Sequence, residues 1–286
     1  MNKKTKDLLI VLLFYIISFG LAVIPCFFIE GLMLKVFVFD ILATVLVFVF
    51  SAIMKNSSVY DPYWSVLPMI VSVWLLVDSG VYSLWTILFT VVFNIWSIRL
   101  TVNWMTVFTD FSYEDWRYRK FRSENKGLMW FIINFFGIHM VPTLVVFAGM
   151  LPMFVLYNKD INLMSVLGIA VMLFGVALEF FADRQMHAHL SDEKSKGVCQ
   201  NGLWKYSRHP NYLGEMSFWV GVYICQLISK SEYWYYGCGA LSVIILFNVV
   251  SVPLMEKRQL SRRSDYAEYK KHTSRVLLMP RRKMCD

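Results

Sequence analysis

Eight runs of apolar residues punctuate the chain, at 8–29, 33–54, 65–81, 82–105, 129–157, 162–182, 212–229 and 232–255. Short polar stretches separate them. Each run is close to the ~20 residues an α-helix needs to cross a bilayer. The third is short enough to re-enter rather than span. The fifth is long and carries Pro142 and Pro152, which predicts a kink or tilt. The pattern predicts an all-α fold: a polytopic integral membrane helix bundle with seven to eight transmembrane helices, in one membrane domain over 1–286.

The charges set the expected topology. Lys3, Lys4 and Lys6 precede the first run, and Arg117, Arg119, Lys120, Arg122 and Lys126 lie between the fourth and fifth. Lys194, Lys196, Lys205 and Arg208 lie between the sixth and seventh, and ten basic residues from Lys257 to Lys283 follow the eighth. An eight-helix count puts all of these on one side, with little beyond Lys159 and Lys230 opposite. Cytoplasmic loops concentrate Lys and Arg, so the pattern predicts both termini in the cytoplasm. The net charge of +8 therefore implies no nucleic acid. The tail interleaves its cations with Tyr266, Tyr269, Leu277, Leu278 and Met279, which predicts an ordered segment that packs or lies on the membrane. Binding of anionic headgroups is the plainer alternative.

Composition adds little: 57% of residues are hydrophobic and 17% charged, as expected of such a bundle. Cys26, Cys199, Cys225, Cys238 and Cys285 are scattered and imply neither disulfide framework nor metal site. The first run is too long for a cleaved signal peptide.

Chemistry concentrates in Gly202–Glu215, GLWKYSRHPNYLGE, between two apolar runs. Charged groups at a membrane boundary are costly without partners and are functional candidates by default. Pro210 suits the first turn of a helix, which would set Asn211 and Glu215 on one face. Arg208 and His209 then stand at a helix N-terminus, where an anion is favoured. Glu179 and Asp183, four apart near the end of the sixth run, share a face with His187. The histidines lack ligand spacing for metal. Asp61 sits with Tyr60, Tyr63 and Trp64 in VYDPYWS, and Asn94 and Arg99 lie in the fourth run. Asp40 and His139 are polar residues within apolar runs and receive no role. No G-x-G-x-x-G, Walker loop or G-x-S-x-G occurs, so a nucleotide would be held by side chains and helix ends.

GLWKYSRHPNYLGE closely resembles the C-terminal signature of the steroid 5α-reductase superfamily, nearest to its uncharacterised bacterial and plant membrane branch. EDWRYRKFR (114–122), ALEFFADRQ (177–185), PLMEKRQ (253–259) and DYAEYKKHTSRVLLMP (265–280) follow the same resemblance in order. It covers about 55–280, with 1–54 as variable N-terminal helices. It implies NADPH-dependent reduction of an activated C=C bond in a lipidic or steroid-like enone. By this resemblance Glu179, Asp183, Tyr206, Arg208, His209, Asn211, Tyr212, Glu215, Glu256 and Arg258 bind the cofactor, and Asp61, Tyr60, Trp64 and Asn94 are the catalytic candidates. Glu179 stands where the steroid reductases have Asn. A family Arg/His pair near Glu256 is missing, for which Arg258 or Arg262 would compensate. An apolar substrate would enter from the bilayer, with the cofactor site facing the cytoplasm of a bacterial inner membrane. Two alternatives stand. Isoprenylcysteine and phospholipid methyltransferases, which use S-adenosylmethionine, share an R-H-P-x-Y-x-G segment. A non-catalytic lipid- or sterol-binding protein is the other.

Overall fold

The computed structural model describes residues 2–157, 163–192 and 197–281. Lys159, Lys194, Lys196, Arg282, Lys283 and Cys285 lie outside the described residues. Among the described residues the fold is helical throughout, and its only β-type contact is an isolated bridge between Ser207 and Ser274. Seven helical segments are long and apolar enough to cross a membrane, which makes this a multi-pass membrane protein. The chain divides into two compact units, Met1–Asp160 and Ile161–Asp286.

Unit 1 contains α1 (Lys3–Ala22), α2 (Leu32–Met54), α3 (Tyr63–Ser79) and α4 (Leu84–Val107). The amphipathic α5 (Trp116–Glu124), α6 (Gly127–Ile132) and α7 (Val141–Leu156) follow. The third run gains length from a 3₁₀ turn, Ser57–Tyr60, so that Ser57–Ser79 reaches spanning length. α2 ends at Lys55, whose positive φ of 53° makes a left-handed cap. In the fifth run a π-helical segment, Ile133–Met140, joins α6 to α7. Pro142 begins α7 there. Its missing N–H leaves a preceding carbonyl without its usual partner, and a π-turn absorbs the mismatch. Val36, Phe39, Ala43, Val47, Phe93 and Trp96 are among the buried side chains of this unit.

Unit 2 contains α8 (Val166–Ser191), α9 (Pro210–Ser229), α10 (Gly237–Ile245), α11 (Val252–Arg262) and α12 (Tyr266–His272). The eighth apolar run becomes α10, a π segment Leu246–Ser251, and α11. The seventh becomes α9, 20 residues long but outside the seven most apolar segments, since Asn211, Glu215 and Gln226 interrupt it. α9 instead packs antiparallel along α8 at backbone distance. A Cβ on Gly175 would lie 2.6 Å from the Gly214 carbonyl, and one on Gly221 would lie 2.6 Å from the Met172 nitrogen. Small residues that let backbones touch are the usual means of helix association where lipid is as apolar as the side chains. This contact fixes the N-terminus of α9 beside the last turns of α8, where the site forms.

Candidate functional site

The segment before α9 is shaped by a left-handed residue and sewn to the C-terminal tail. Gly202 has a φ of +56°, and Gln185 occupies the space its Cβ would take. Gln185 Oε1 accepts from the Leu203 N–H at 2.8 Å, and Trp204 Nε1 donates to the Ala182 carbonyl at 3.0 Å. From the other side, the Tyr269 hydroxyl donates to the Trp204 carbonyl at 2.5 Å. Ser207 Oγ donates to the Val276 carbonyl at 2.6 Å, and the Arg208 and Met279 N–H groups bond Ser274 and Tyr206 carbonyls.

Arg208 is the knot. Its Nε and Nη2 bind one Glu256 oxygen at 2.9 and 2.7 Å, while Nη1 donates to the Lys270 and Thr273 carbonyls, each at 2.8 Å. Lys270 Nζ takes the other Glu256 oxygen at 2.7 Å. The guanidinium expected to meet a phosphate is thus buried and committed to α11 and to α12 and its C-terminal end. His209, also buried, stacks flat on Tyr212, with centroids 5.2 Å apart and planes 7° apart. Its Nε2 is 3.6 Å from Glu256, too far for a hydrogen bond, and has no other partner among the described residues. Burial lowers the His209 pKa, and the nearby Glu256 opposes that only in part.

These elements enclose a cavity of about 700 Å³. One wall is a single face of α11: Met255, Arg258, Gln259 and Arg262, continued by Arg263. The opposite wall is apolar, from Met186, Leu190 and Val198, with Cys199 beside it. The N-terminus of α9 supplies Arg208, His209, Asn211 and Tyr212, and Trp204, Tyr266 and Tyr269 complete an aromatic lining. Among the described residues no Asp or Glu lines the cavity. The Tyr266 hydroxyl is buried with no hydrogen-bond partner among the described residues. Burial raises the pKa of Tyr266 and Tyr269, so both stay neutral, and raises that of the Cys199 thiol, which favours its protonated form.

Residues 47–273 match the model of a family of proteins of unknown function, DUF1295. The chain belongs to the DUF1295 family. No curated protein and no solved structure matches it. The matched region includes every residue lining the cavity of this DUF1295 chain.

Of the residues that the resemblance assigns to the cofactor, Arg208, His209, Asn211, Tyr212 and Arg258 line this cavity. The other expected cofactor residues stand behind or away from it. Asp183 Oδ1 accepts from Asn211 Nδ2 at 3.3 Å and so orients a lining residue. Glu179 is buried where α8 meets Gly214, and Glu215 is buried on α9, accepting from Trp219 Nε1 at 2.9 Å. Glu256 holds Arg208. Tyr206 is 41% exposed and does not line the cavity. Arg263, Tyr266, Tyr269, Trp204 and Gln259 were not expected there. Their signal was present for α11 alone, in the helical spacing 255, 258, 259 and 262.

The catalytic candidates belong to unit 1 of the DUF1295 chain. Asp61 is half-buried in the turn after Tyr60, and the Tyr118 hydroxyl of α5 donates to its Oδ1 at 2.5 Å. The Tyr60 hydroxyl bonds the His139 carbonyl at 2.8 Å and Thr143 Oγ1 at 2.7 Å. Trp64 is half-buried at the start of α3. Asn94 spends its amide N–H groups on Ser72 Oγ at 2.9 Å and the Thr90 carbonyl at 2.8 Å, tying α4 to α3. That is a packing role, and it leaves no amide donor directed at a substrate.

Proposed function

We propose that this protein is an NADPH-dependent membrane reductase acting on an activated C=C bond of a lipidic substrate. The observation that supports the reading is the cavity's charge: Arg258, Arg262 and Arg263 along one wall, a buried histidine, several aromatic rings and, among the described residues, no carboxylate. Such a lining favours a ligand that is both anionic and ring-bearing. Its volume of about 700 Å³ lies in the range of cofactor sites. S-adenosylmethionine carries a sulfonium and an ammonium, and the arginines that line the cavity, with no acid among its described residues, repel both. The methyltransferase alternative is disfavoured on that ground.

The unpartnered His209 Nε2 and Tyr266 hydroxyl are buried polar atoms that a ligand would satisfy, so the residues present fit a dinucleotide. Arg258, Arg262 and Arg263 would hold phosphates, helped by the N-terminus of α9. Trp204 and Tyr212 offer ring faces. Met186, Leu190 and Val198 exclude water from one wall. NADPH, when bound, supplies a hydride. On the substrate side the reading keeps Tyr60, Asp61 and Trp64 of unit 1 as candidates for contact, since reduction of an enone builds negative charge on oxygen and needs a buried donor. The concentration of Lys and Arg in the loops and tail around the cavity supports a site that faces the cytoplasm.

A thermal-shift titration of detergent-purified protein with NADPH, NADH and S-adenosylmethionine tests this. A ligand that binds only the folded chain must raise its apparent stability. The expected result is a shift with NADPH and none with S-adenosylmethionine. The reverse order, or no shift in folded protein, overturns the reading.

A further inference from the structure

His209 is the N-cap of α9 and lines the cavity with only 3% of its surface exposed. Charged and titratable groups reach it from every element packed around it. Arg208 precedes it, and α11 brings Glu256, with Arg258 on the same cavity wall. The tail brings Arg275, and α12 brings Lys270 and the cavity-lining Tyr266. On α9 the Tyr212 ring lies flat against it, and on α8 Asp183 is held by Asn211, two residues further along. Glu256 is the carboxylate that His209 Nε2 approaches, at 3.6 Å, and both Glu256 oxygens are already taken. Arg208 Nε and Nη2 hold Oε1, and Lys270 Nζ holds Oε2.

A proton on His209 would add a third cation to a carboxylate that already meets two. The positive N-terminal end of α9 opposes it as well, and burial withholds the water that would stabilise the charge. The ring is therefore neutral in the chain alone. Its Nε2 and the Tyr266 hydroxyl, two buried polar atoms of the same cavity, have no hydrogen-bond partner among the described residues. An anion in the cavity changes this balance. Its charge offsets the excess of cations and the helix end, so a proton on the ring no longer meets net repulsion. The imidazolium then has an N–H on both nitrogens, one donor more than the neutral ring. A hydrogen bond from a charged donor to a charged acceptor is about twice as strong as a neutral one.

We propose that the cavity takes up its anion together with a proton: His209 passes from imidazole to imidazolium as the anion binds, so binding tightens as pH falls. The proton comes from water, the bond formed is a ring N–H, and the anion keeps its own charge. This linkage regulates the proposed cofactor site and rests on that reading only as far as an anion binds there. The sign follows from the order of the two midpoints. The bound chain holds the proton more firmly than the free chain, so affinity rises as pH falls through the bound midpoint and levels off below the free one.

NMR of the full chain in nanodiscs, labelled with ¹⁵N at histidine, reads the protonation of each ring, and His209→Asn identifies the His209 signals. Sulfate and NADPH are the probes, and sulfate stays fully ionised near neutral pH. The expected result is a His209 titration midpoint that rises by about one pH unit or more with either probe, while that of His139 in unit 1 does not move. A midpoint unmoved by both probes overturns the linkage, and if NADPH still raises thermal stability the reductase reading survives it. A midpoint moved by sulfate in protein that does not bind NADPH keeps the linkage and removes that reading. Should His209→Asn fail to fold, the dissociation constant of sulfate or NADPH for the wild type decides. It should fall by up to about tenfold per unit as pH drops from 8 to 6.5, and a constant or rising value overturns the proposal.

Discussion

Arg208 and Arg262 look alike in the sequence and differ in what the fold asks of them. Arg208 and Glu256 are both buried, each with only 8% of its side chain exposed, and they sew the loop before α9 to the C-terminal segment. Arg208→Ala leaves Glu256 buried with Lys270 as its remaining close cation. The expected cost is about 3–5 kcal/mol of stability, the usual result of breaking a buried pair from one side. Chemical or thermal unfolding checks it, and an unchanged midpoint would show the knot to be idle. Arg262 lines the cavity on the last turn of α11 and has no ion pair among the described residues. Arg262→Ala should leave unfolding unchanged and weaken NADPH binding by about 1.5–3 kcal/mol, one charge-assisted bond. His209 adds a pH dependence. Its pKa in the folded chain lies below the ordinary value of 6.5, so the unfolded chain binds the proton more readily. The stability that neutral His209 allows is present above about 6.5 and declines as pH falls from there toward its lower folded value. Unfolding midpoints from pH 7.5 to 5 should fall in the wild type and fall less in His209→Asn.

At the scale of elements, the α8–α9 contact and the fold-back of α11, α12 and the tail determine the site. The first was half legible. The glycines stand seven apart on each helix, at 168 and 175 and at 214 and 221, but only the structure shows that they face one another. Gly175→Leu would drive a side chain into the α9 backbone, an overpacking worth about 1–3 kcal/mol or more. It should lower the unfolding midpoint and, by moving the N-terminus of α9, weaken ligand binding as well. A variant that unfolds normally would mean the helices can separate at little cost. The second element was not legible. Arg208 meets Glu256, Lys270 and Thr273, which lie 48 to 65 residues downstream, and no local spacing announces such partners. The helical face 255, 258, 259 and 262 could be read from the sequence, but its cavity depends on the loop and tail closing around it. Asn94 shows the opposite failure. A polar residue in an apolar run suggested chemistry, and its amide proved to be committed to ordinary helix-to-helix bonding.

For the whole molecule, the hydropathy pattern carried the fold class, because length and apolarity decide what can cross a bilayer. It also carried the expected sidedness, which the distribution of Lys and Arg supports and a thiol can test. Cys238 is exposed at the start of α10, after a turn rich in aromatic residues, Tyr233, Trp234, Tyr235 and Tyr236, of the kind that sits at a membrane interface. Cys26, Cys199 and Cys225 are buried. If both termini are cytoplasmic and α9 crosses outward, Cys238 lies at the outer interface. A membrane-impermeant maleimide added to intact cells should then label the protein, and Cys238→Ser should lose that label. Labelling that appears only after permeabilisation would reverse the topology and turn the arginine-lined cavity away from the compartment that holds NADPH, so a simple thiol assay bears on the proposed reductase as directly as a binding curve does.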